Sequence, residues 1–298
     1  MSQFKGTYVF KQNGVEIGRS ENLITDNGRR TILQFLSGIR GEWASDLAIG
    51  AINTTPQSSD LELNFETGRV PITLKSFKSK TDTNPDLIIV RATLPSTLYA
   101  NIYEVGLYPQ QVSQGPSARD NNILTDFSDL TNWVTSAGNV YITGFMPQVS
   151  NSPRIGAYSV DLDPSSTYYN STFGFSMSGY SDIDNLQILA YNTVAGVATV
   201  TLTDYAGTSI NVPFTLTDNA DYQVLSSPFP SSVGSLGAIR TVSISTDSTA
   251  SITIDCIKTS VVRELGAGDF IISKSVLDTP IGKAYGTTLD IEYYVQLN

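Results

Sequence analysis

The 298-residue chain has no histidine and one cysteine, Cys256. It therefore lacks imidazole general bases, Ser-His and Cys-His nucleophile pairs, imidazole metal ligands, thiolate clusters and any intrachain disulfide. A formal charge of -10 and a pI near 4.4 argue against a nucleic-acid groove and against docking to anionic lipid, and favour a neutral glycan or a protein as partner.

With 40% hydrophobic and 15% charged residues the chain reads as globular, and its length suits two ordinary domains. The Met1-Ser2-Gln3-Phe4-Lys5 start has no apolar core or small-residue cleavage site, and no apolar run approaches the ~20 residues of a membrane span. The expectation is a soluble protein, made in a cytoplasm and not inserted in a membrane. Cys256, in an apolar strand-like run, is expected to be a small buried core residue.

In chain order, Thr7–Phe10 and Val15–Ile17 flank Gln12-Asn13-Gly14, a hairpin signal. Thr25-Asp26-Asn27 offers capping side chains ahead of Ile32, Leu33, Phe35, Leu36 and Ile39, whose spacing makes one apolar helical face, so a helix is expected from Asp26 to Ser37. Strands are expected at Leu47–Gly50, Leu61–Phe65, Val70–Phe77, Leu87–Leu94 and Leu98–Tyr108. The stretch Ile102-Tyr103-Glu104-Val105-Gly106-Leu107-Tyr108 alternates as a half-buried strand does and stops at Pro109. Glu66 and Arg69, near the turn at Gly68, are placed to pair. Lys75, Lys78 and Lys80 form a basic strip that either guards an edge strand or faces an acidic neighbour.

A different composition then sets in. Between Asp120 and Ser260 three basic residues stand against twelve aspartates, a net of -9, while the rest of the chain nets -1. Glutamate is missing between Glu104 and Glu264, and lysine between Lys80 and Lys258. The shift opens at Ser113-Gln114-Gly115-Pro116-Ser117, as a linker into a separate module would. Strand-like patterning of the first kind resumes at Phe270-Ile271-Ile272 and closes with Thr288–Val295. Residues 1–116 and 261–298 are thus expected to form one discontinuous, mainly β domain with one short helix, and residues 117–260 an insertion. Within the insertion, short β-branched and aromatic runs recur between turn signals from Asn139 to Ile257, the pattern of a β-sandwich.

Two resemblances follow from these residues. Leu23-Ile24-Thr25-Asp26-Asn27-Gly28 plus helix, Leu47-Ala48-Ile49-Gly50, Leu61–Glu66 with Arg69, and Tyr103–Tyr108, followed by Pro280–Lys283 and Leu289–Val295, resemble a bacteriophage structural family found in tails, baseplates, collars and fibres. This likeness covers Asn22–Pro109 and Ser273–Asn298. The insertion resembles jelly-roll carbohydrate-binding modules through Asn121-Asn122-Ile123-Leu124 leading to Trp133, Ser152–Ser159, Thr167-Tyr168-Tyr169 and Ile252–Ile257. The resemblances imply a discontinuous β-sandwich-like assembly domain carrying a jelly-roll β-sandwich.

Sugars are held by aromatic faces that stack on their C–H surfaces and by polar groups at the rim. Tyr180 and Tyr205 sit in turn-like settings and are expected to be exposed contacts, with Tyr191 as a third; Trp133 is expected in the core. Resemblance to the modules also implies calcium, held by Asp255 with an early carboxylate such as Asp120 or Asp126. Asp182 and Asp184 are an alternative cluster, or else solvated turn residues. No pair of aspartates is singled out as a glycosidase acid and base, so no catalytic residue is assigned. Leu265-Gly266-Ala267-Gly268-Asp269 lacks the Lys-Ser/Thr of a phosphate loop and reads as a return turn.

The expected role is a virion component that assembles with other virion proteins, as a homo-oligomer, and displays the module to a host-surface polysaccharide with the avidity of repeated copies. The alternatives are a capsid decoration or spacer without glycan binding, and, behind it, a polysaccharide-degrading enzyme.

Overall fold

The computed structural model describes residues 4–79, 86–109, 123–147, 152–260 and 270–297. The chain divides into two compact units. The first takes Met1–Gly115, Met146–Ser150 and Glu264–Asn298, the second Pro116–Phe145 and Asn151–Arg263. The linker at Ser113–Ser117 and the return turn at Leu265–Asp269 lie outside the described residues.

In chain order the first segment holds β1 (Phe4–Gln12), β2 (Val15–Glu21), β3 (Leu23–Ile24), α1 (Asp26–Leu36), β4 (Asp46–Gly50), β5 (Glu66–Pro71), β6 (Leu74–Lys78), β7 (Leu87–Leu94) and β8 (Ala100–Tyr108). The middle holds β9 (Ile123–Thr125), β10 (Trp133–Ala137), β11 (Val140–Gly144), β12 (Tyr158–Leu162), β13 (Thr167–Asn170), β14 (Phe175–Ser176), β15 (Asn185–Asn192), β16 (Gly196–Asp204), β17 (Ser209–Leu216), β18 (Asn219–Pro228), β19 (Ala238–Thr246) and β20 (Ile252–Ser260). The last segment adds β21 (Ser273–Lys283) and β22 (Leu289–Leu297). Among the described residues no helix is long and apolar enough to cross a membrane.

The first unit is a pair of five-stranded antiparallel sheets, ordered β2-β1-β22-β7-β6 and β3-β21-β8-β4-β5. Phe10, Val90, Leu94, Ile291 and Tyr293 from one sheet meet Leu47, Ile49, Ile102, Val105 and Leu107 from the other in a single core. Strand β8 is buried along its whole length rather than on one face. The reason is a second small cluster, Ala48, Leu63, Tyr108 and Ile271, that covers its other side. Gly106 is needed there, since a Cβ would sit 2.5 Å from Ile271 Cδ1. Glu66 and Arg69 do pair, through two parallel hydrogen bonds of 2.7 Å and 2.5 Å, and the Arg69 guanidinium lies 3.8 Å from the centre of the Tyr108 ring.

Helix α1 forms where its cap predicts, with Thr25 Oγ1 accepting from Gly28 N at 2.9 Å. Its packing face differs from the expected one. Gly28 and Thr31 are its buried residues, whereas Leu33, Phe35, Leu36 and Ile39 are exposed. Thr25 ties the helix start to the chain before β21 by donating to Ile271 O at 2.6 Å. Gly28 lies so close that a Cβ there would collide with Ile272 O. This approach turns Leu33, Phe35, Leu36 and Ile39 outward, while Ile32, half-buried, still packs against the core.

The second unit is a β-sandwich. One sheet runs β10-β13-β19-β16-β17 with β14 also on β19, the other β11-β12-β20-β15-β18 with β9 also on β20. The chain alternates between them, from β12 to β13, from β14 to β15, from β15 to β16, and from β17 through β18 and β19 to β20. That wrapped crossing is the jelly-roll arrangement. The inward residues of both sheets, among them Val160, Leu162, Ile188, Val200, Phe214 and Ile244, make one core. Trp133 belongs to it, stacked on Tyr168 with ring centres 5.0 Å apart.

Candidate glycan-binding face

The inward positions of the second sheet fix which residues its outer face presents. Val160, Ile254 and Ala190 point to the core, so their neighbours Asp161, Thr253 and Tyr191 point outward. Register then aligns four side chains across four strands: Tyr141 on β11 opposite Asp161 on β12, Asp161 opposite Thr253 on β20, and Thr253 opposite Tyr191 on β15. Three strand spacings separate the tyrosines, about 14 Å, the reach of a short oligosaccharide. Tyr141 is 56% exposed, and Asp161, Thr253 and Tyr191 are half-buried.

The middle of the row is held in place. Asp161 accepts from Thr253 Oγ1 at 2.5 Å and from Thr143 Oγ1 at 2.9 Å, which fixes the carboxylate while the hydroxyls keep their own acceptor capacity. Next to the row, the Tyr191 and Tyr222 ring centres are 5.9 Å apart. The Arg154 guanidinium sits 4.8 Å above the Tyr222 ring and bonds Asp221 at 2.7 Å. Two tyrosines flanking a fixed carboxylate and hydroxyls offer stacking faces with rim hydrogen bonds between them. Tyr191 was among the expected contacts; Tyr141, Asp161 and Thr253 were not, because β11, β12, β20 and β15 are not consecutive in the chain.

The other expected contacts lie apart from this row. Tyr180 is a correction: it is buried, its hydroxyl 2.7 Å from Thr259 Oγ1 and its ring packed on Phe229 and Phe175. A local sequence of turn residues placed it in a turn but gave no information on what covers that turn. Tyr205 is 63% exposed and donates to Phe173 O at 3.0 Å. It stands beside the β16–β17 turn, at the end of the opposite sheet.

Of the expected calcium ligands, Asp120 lies outside the described residues. Asp255 is fully buried at a bulge in β20, where Oδ2 accepts from Arg154 N at 2.7 Å and Ile155 N at 3.1 Å. Its Oδ1 has no hydrogen-bond partner among the described residues. Burial raises this carboxyl well above the usual range, opposed by the two N–H groups and the Arg154 charge, while nearby Asp126 pushes it further up. An unpartnered buried oxygen with a second carboxylate in electrostatic reach fits a hard cation, whose charge would let Asp255 ionise. Asp255 and Asp126 would hold it. Among the described residues no group of three or more His, Cys, Asp or Glu is gathered for a metal.

Much of the unit's acidity has a structural use. Asp184 accepts from Ser181 N at 2.9 Å, so it closes a turn; Asp204 accepts from Ala206, Thr208 and Gly237 N–H groups. Backbone N–H groups of Thr249 and Ala250 pull Asp247 down to about 2. Cys256 is buried and its thiol is pushed up by burial.

No family model matches the chain, and no curated protein matches it. Solved structures similar to it include the enzymatically active domain of tailspike protein 4 of bacteriophage CBA120, at 16% identity and TM-score 0.32, over 49% of this chain and 22% of that one. A family 6 carbohydrate-binding module is similar at 11% identity and TM-score 0.32, over 49% of this chain and 92% of that one. The C-terminal family 22 carbohydrate-binding module of Clostridium thermocellum Xyn10B is similar at 15% identity and TM-score 0.29, over 50% of this chain and all (100%) of that one.

Proposed function

We propose that the second unit is a glycan-binding module and that the chain is a bacteriophage virion component, of a tail, baseplate, collar or fibre, that displays it to a host-surface polysaccharide. The observation that carries the glycan reading is the outward row Tyr141–Asp161–Thr253–Tyr191. The virion reading is supported by the strand and helix motifs of the first unit that resemble phage structural proteins. A net charge of -9 across residues 120–260 favours a neutral glycan over a polyanion. The proposed role is binding; glycoside hydrolysis by the usual route would need a second carboxylate facing Asp161 across the bound sugar.

The test is a glycan-array screen of the full chain in multivalent form, with Tyr141→Ala, Tyr191→Ala and Tyr205→Ala variants. Binding that survives Tyr205→Ala and is lost in the other two supports the reading. Binding lost only in Tyr205→Ala moves the site to the opposite sheet. A wild-type protein that binds nothing on the array favours a spacer within the particle.

A further inference from the structure

The outer face of the sheet β10-β13-β19-β16-β17 is lined with hydroxyls, Thr199, Thr201 and Thr203 on β16 facing Ser245, Ser243 and Thr241 on β19. One end of this array is interrupted by a bulge in β19. Thr203 faces Thr241 and Asp204 faces Ile239, so that Arg240 is an extra residue. Ile239 and Val242 belong to the core, which leaves Arg240 and Thr241 on the outer face.

The charge of Arg240 stands alone in its surroundings. Arg154 and Lys258, the other basic residues between Asp120 and Ser260, are only 2% and 5% exposed, whereas Arg240 is exposed. Twelve aspartates share that stretch, yet Arg240 makes no ion pair among the described residues. Asp204, across from Ile239, is buried and occupied by backbone: it accepts from Ala206 N at 2.9 Å, Thr208 N at 2.8 Å and Gly237 N at 3.1 Å.

Tyr205 supplies an aromatic platform beside this arginine. Its N–H donates to Ala238 O at 3.2 Å from the β16 side of β19, and its hydroxyl donates to Phe173 O at 3.0 Å on the other side. There Phe173 N donates to Arg240 O at 2.9 Å. The side chain therefore crosses β19 next to Arg240, held at both ends, and is still 63% exposed. A ring fixed in this way loses little freedom when a ligand stacks on it.

We propose that Tyr205 and Arg240 form a second carbohydrate site, on the sheet opposite the Tyr141–Tyr191 row, and that it takes an acidic sugar. The C–H face of a pyranose stacks on Tyr205, and its carboxylate meets the fork of the Arg240 guanidinium. Thr241, together with Thr203 Oγ1 and Ser209 Oγ, which lie 2.8 Å apart, supplies rim hydroxyls of the kind that a sugar needs and an apolar peptide does not. A neutral sugar would leave Arg240 without a role. The net of -9 across residues 120–260 opposes a dense polyanion, so the fitting polymer carries isolated acidic sugars among neutral ones. This site goes beyond the row and does not depend on it.

The test titrates methyl glucuronoside and methyl galacturonoside into the full chain, beside methyl glucoside and methyl galactoside, with binding read by saturation-transfer NMR. At least one uronoside is expected to bind, and more tightly than its neutral counterpart. Arg240→Ala and Tyr205→Ala are each expected to weaken that binding roughly ten-fold or more, and Arg240→Lys to recover only part of the loss. Both positions are exposed, so folding is retained, as circular dichroism would verify. Uronoside binding unchanged in Tyr141→Ala keeps this site distinct from the row. No uronoside bound, equal affinity for the neutral counterparts, binding that survives Arg240→Ala, or binding lost in Tyr141→Ala would each overturn the proposal.

Discussion

Lys274 Nζ stands 3.4 Å from Glu104 Oε2 in the interior of the first unit, and neither side chain is exposed at all. The pair joins β8, the last described strand before the second unit, to β21, the first described strand after it. Glu104 also accepts from Asn64 N at 3.0 Å and Phe65 N at 2.9 Å, and Lys274 reaches Asp60 at 3.1 Å. Burial raises the Glu104 carboxyl, and the Lys274 charge with the two N–H groups opposes that rise.

Removing one member of such a pair strands the other. Glu104→Ala is expected to cost about 3–5 kcal/mol in urea unfolding. Glu104→Leu combined with Lys274→Met is expected to cost less than the sum of the single changes. Additive costs in that double-mutant cycle would mean that the two residues do not interact energetically.

Asp255 gives the second unit a pH dependence of definite sign. Its carboxyl titrates higher in the folded state than in the unfolded chain. Between those two values the folded state holds the extra proton, so this group's contribution to stability falls as pH rises from the ordinary carboxylate range through the raised value. Asp255→Asn is expected to flatten that slope. Calcium is expected to raise the wild-type melting temperature at neutral pH, with a chelator reversing the effect and Asp255→Asn insensitive to both. An identical melting temperature in calcium and chelator would remove calcium from the account.

Tyr180→Ala is expected to behave as a core deletion, costing about 3–5 kcal/mol as other large aromatic truncations do. Tyr180→Phe leaves Thr259 Oγ1 without the phenol and is expected to cost about 1 kcal/mol. Thermal unfolding of both separates this from a binding role, in which the alanine variant would keep wild-type stability.

Gly28→Ala forces a methyl group onto Ile272 O, a backbone atom that has nowhere to move without shifting α1 or the chain leading into β21. A loss of about 2 kcal/mol or more is expected by chemical denaturation. A neutral result would mean that the helix is free to lift off the sheet.

Local chemistry was legible where it decided the outcome by itself. Thr25 had the right side chain to cap a helix, and the helix starts there; the alternating runs from Asn139 onward became strands of a sandwich. What depended on residues far along the chain was not legible. The helix buries Gly28 and Thr31 and keeps only Ile32 of its apolar stripe against the core, because Ile272, more than 200 residues later, sits against its first turn. Tyr141, Asp161, Thr253 and Tyr191 form a row only through pairing between strands that the chain visits out of order. Tyr180 was misplaced for the same reason: Phe229 and Thr259, which enclose it, are distant in sequence.

The central position of β22, between β1 and β7, also sets an order of events during synthesis. Neither sheet of the first unit can close until β21 and β22 have left the ribosome, because each fills an interior place. All strands of the second unit are already made by then. The sandwich is therefore expected to fold first while the opening strands of the first unit wait with unpaired edges, the stage at which a nascent chain is most exposed to aggregation.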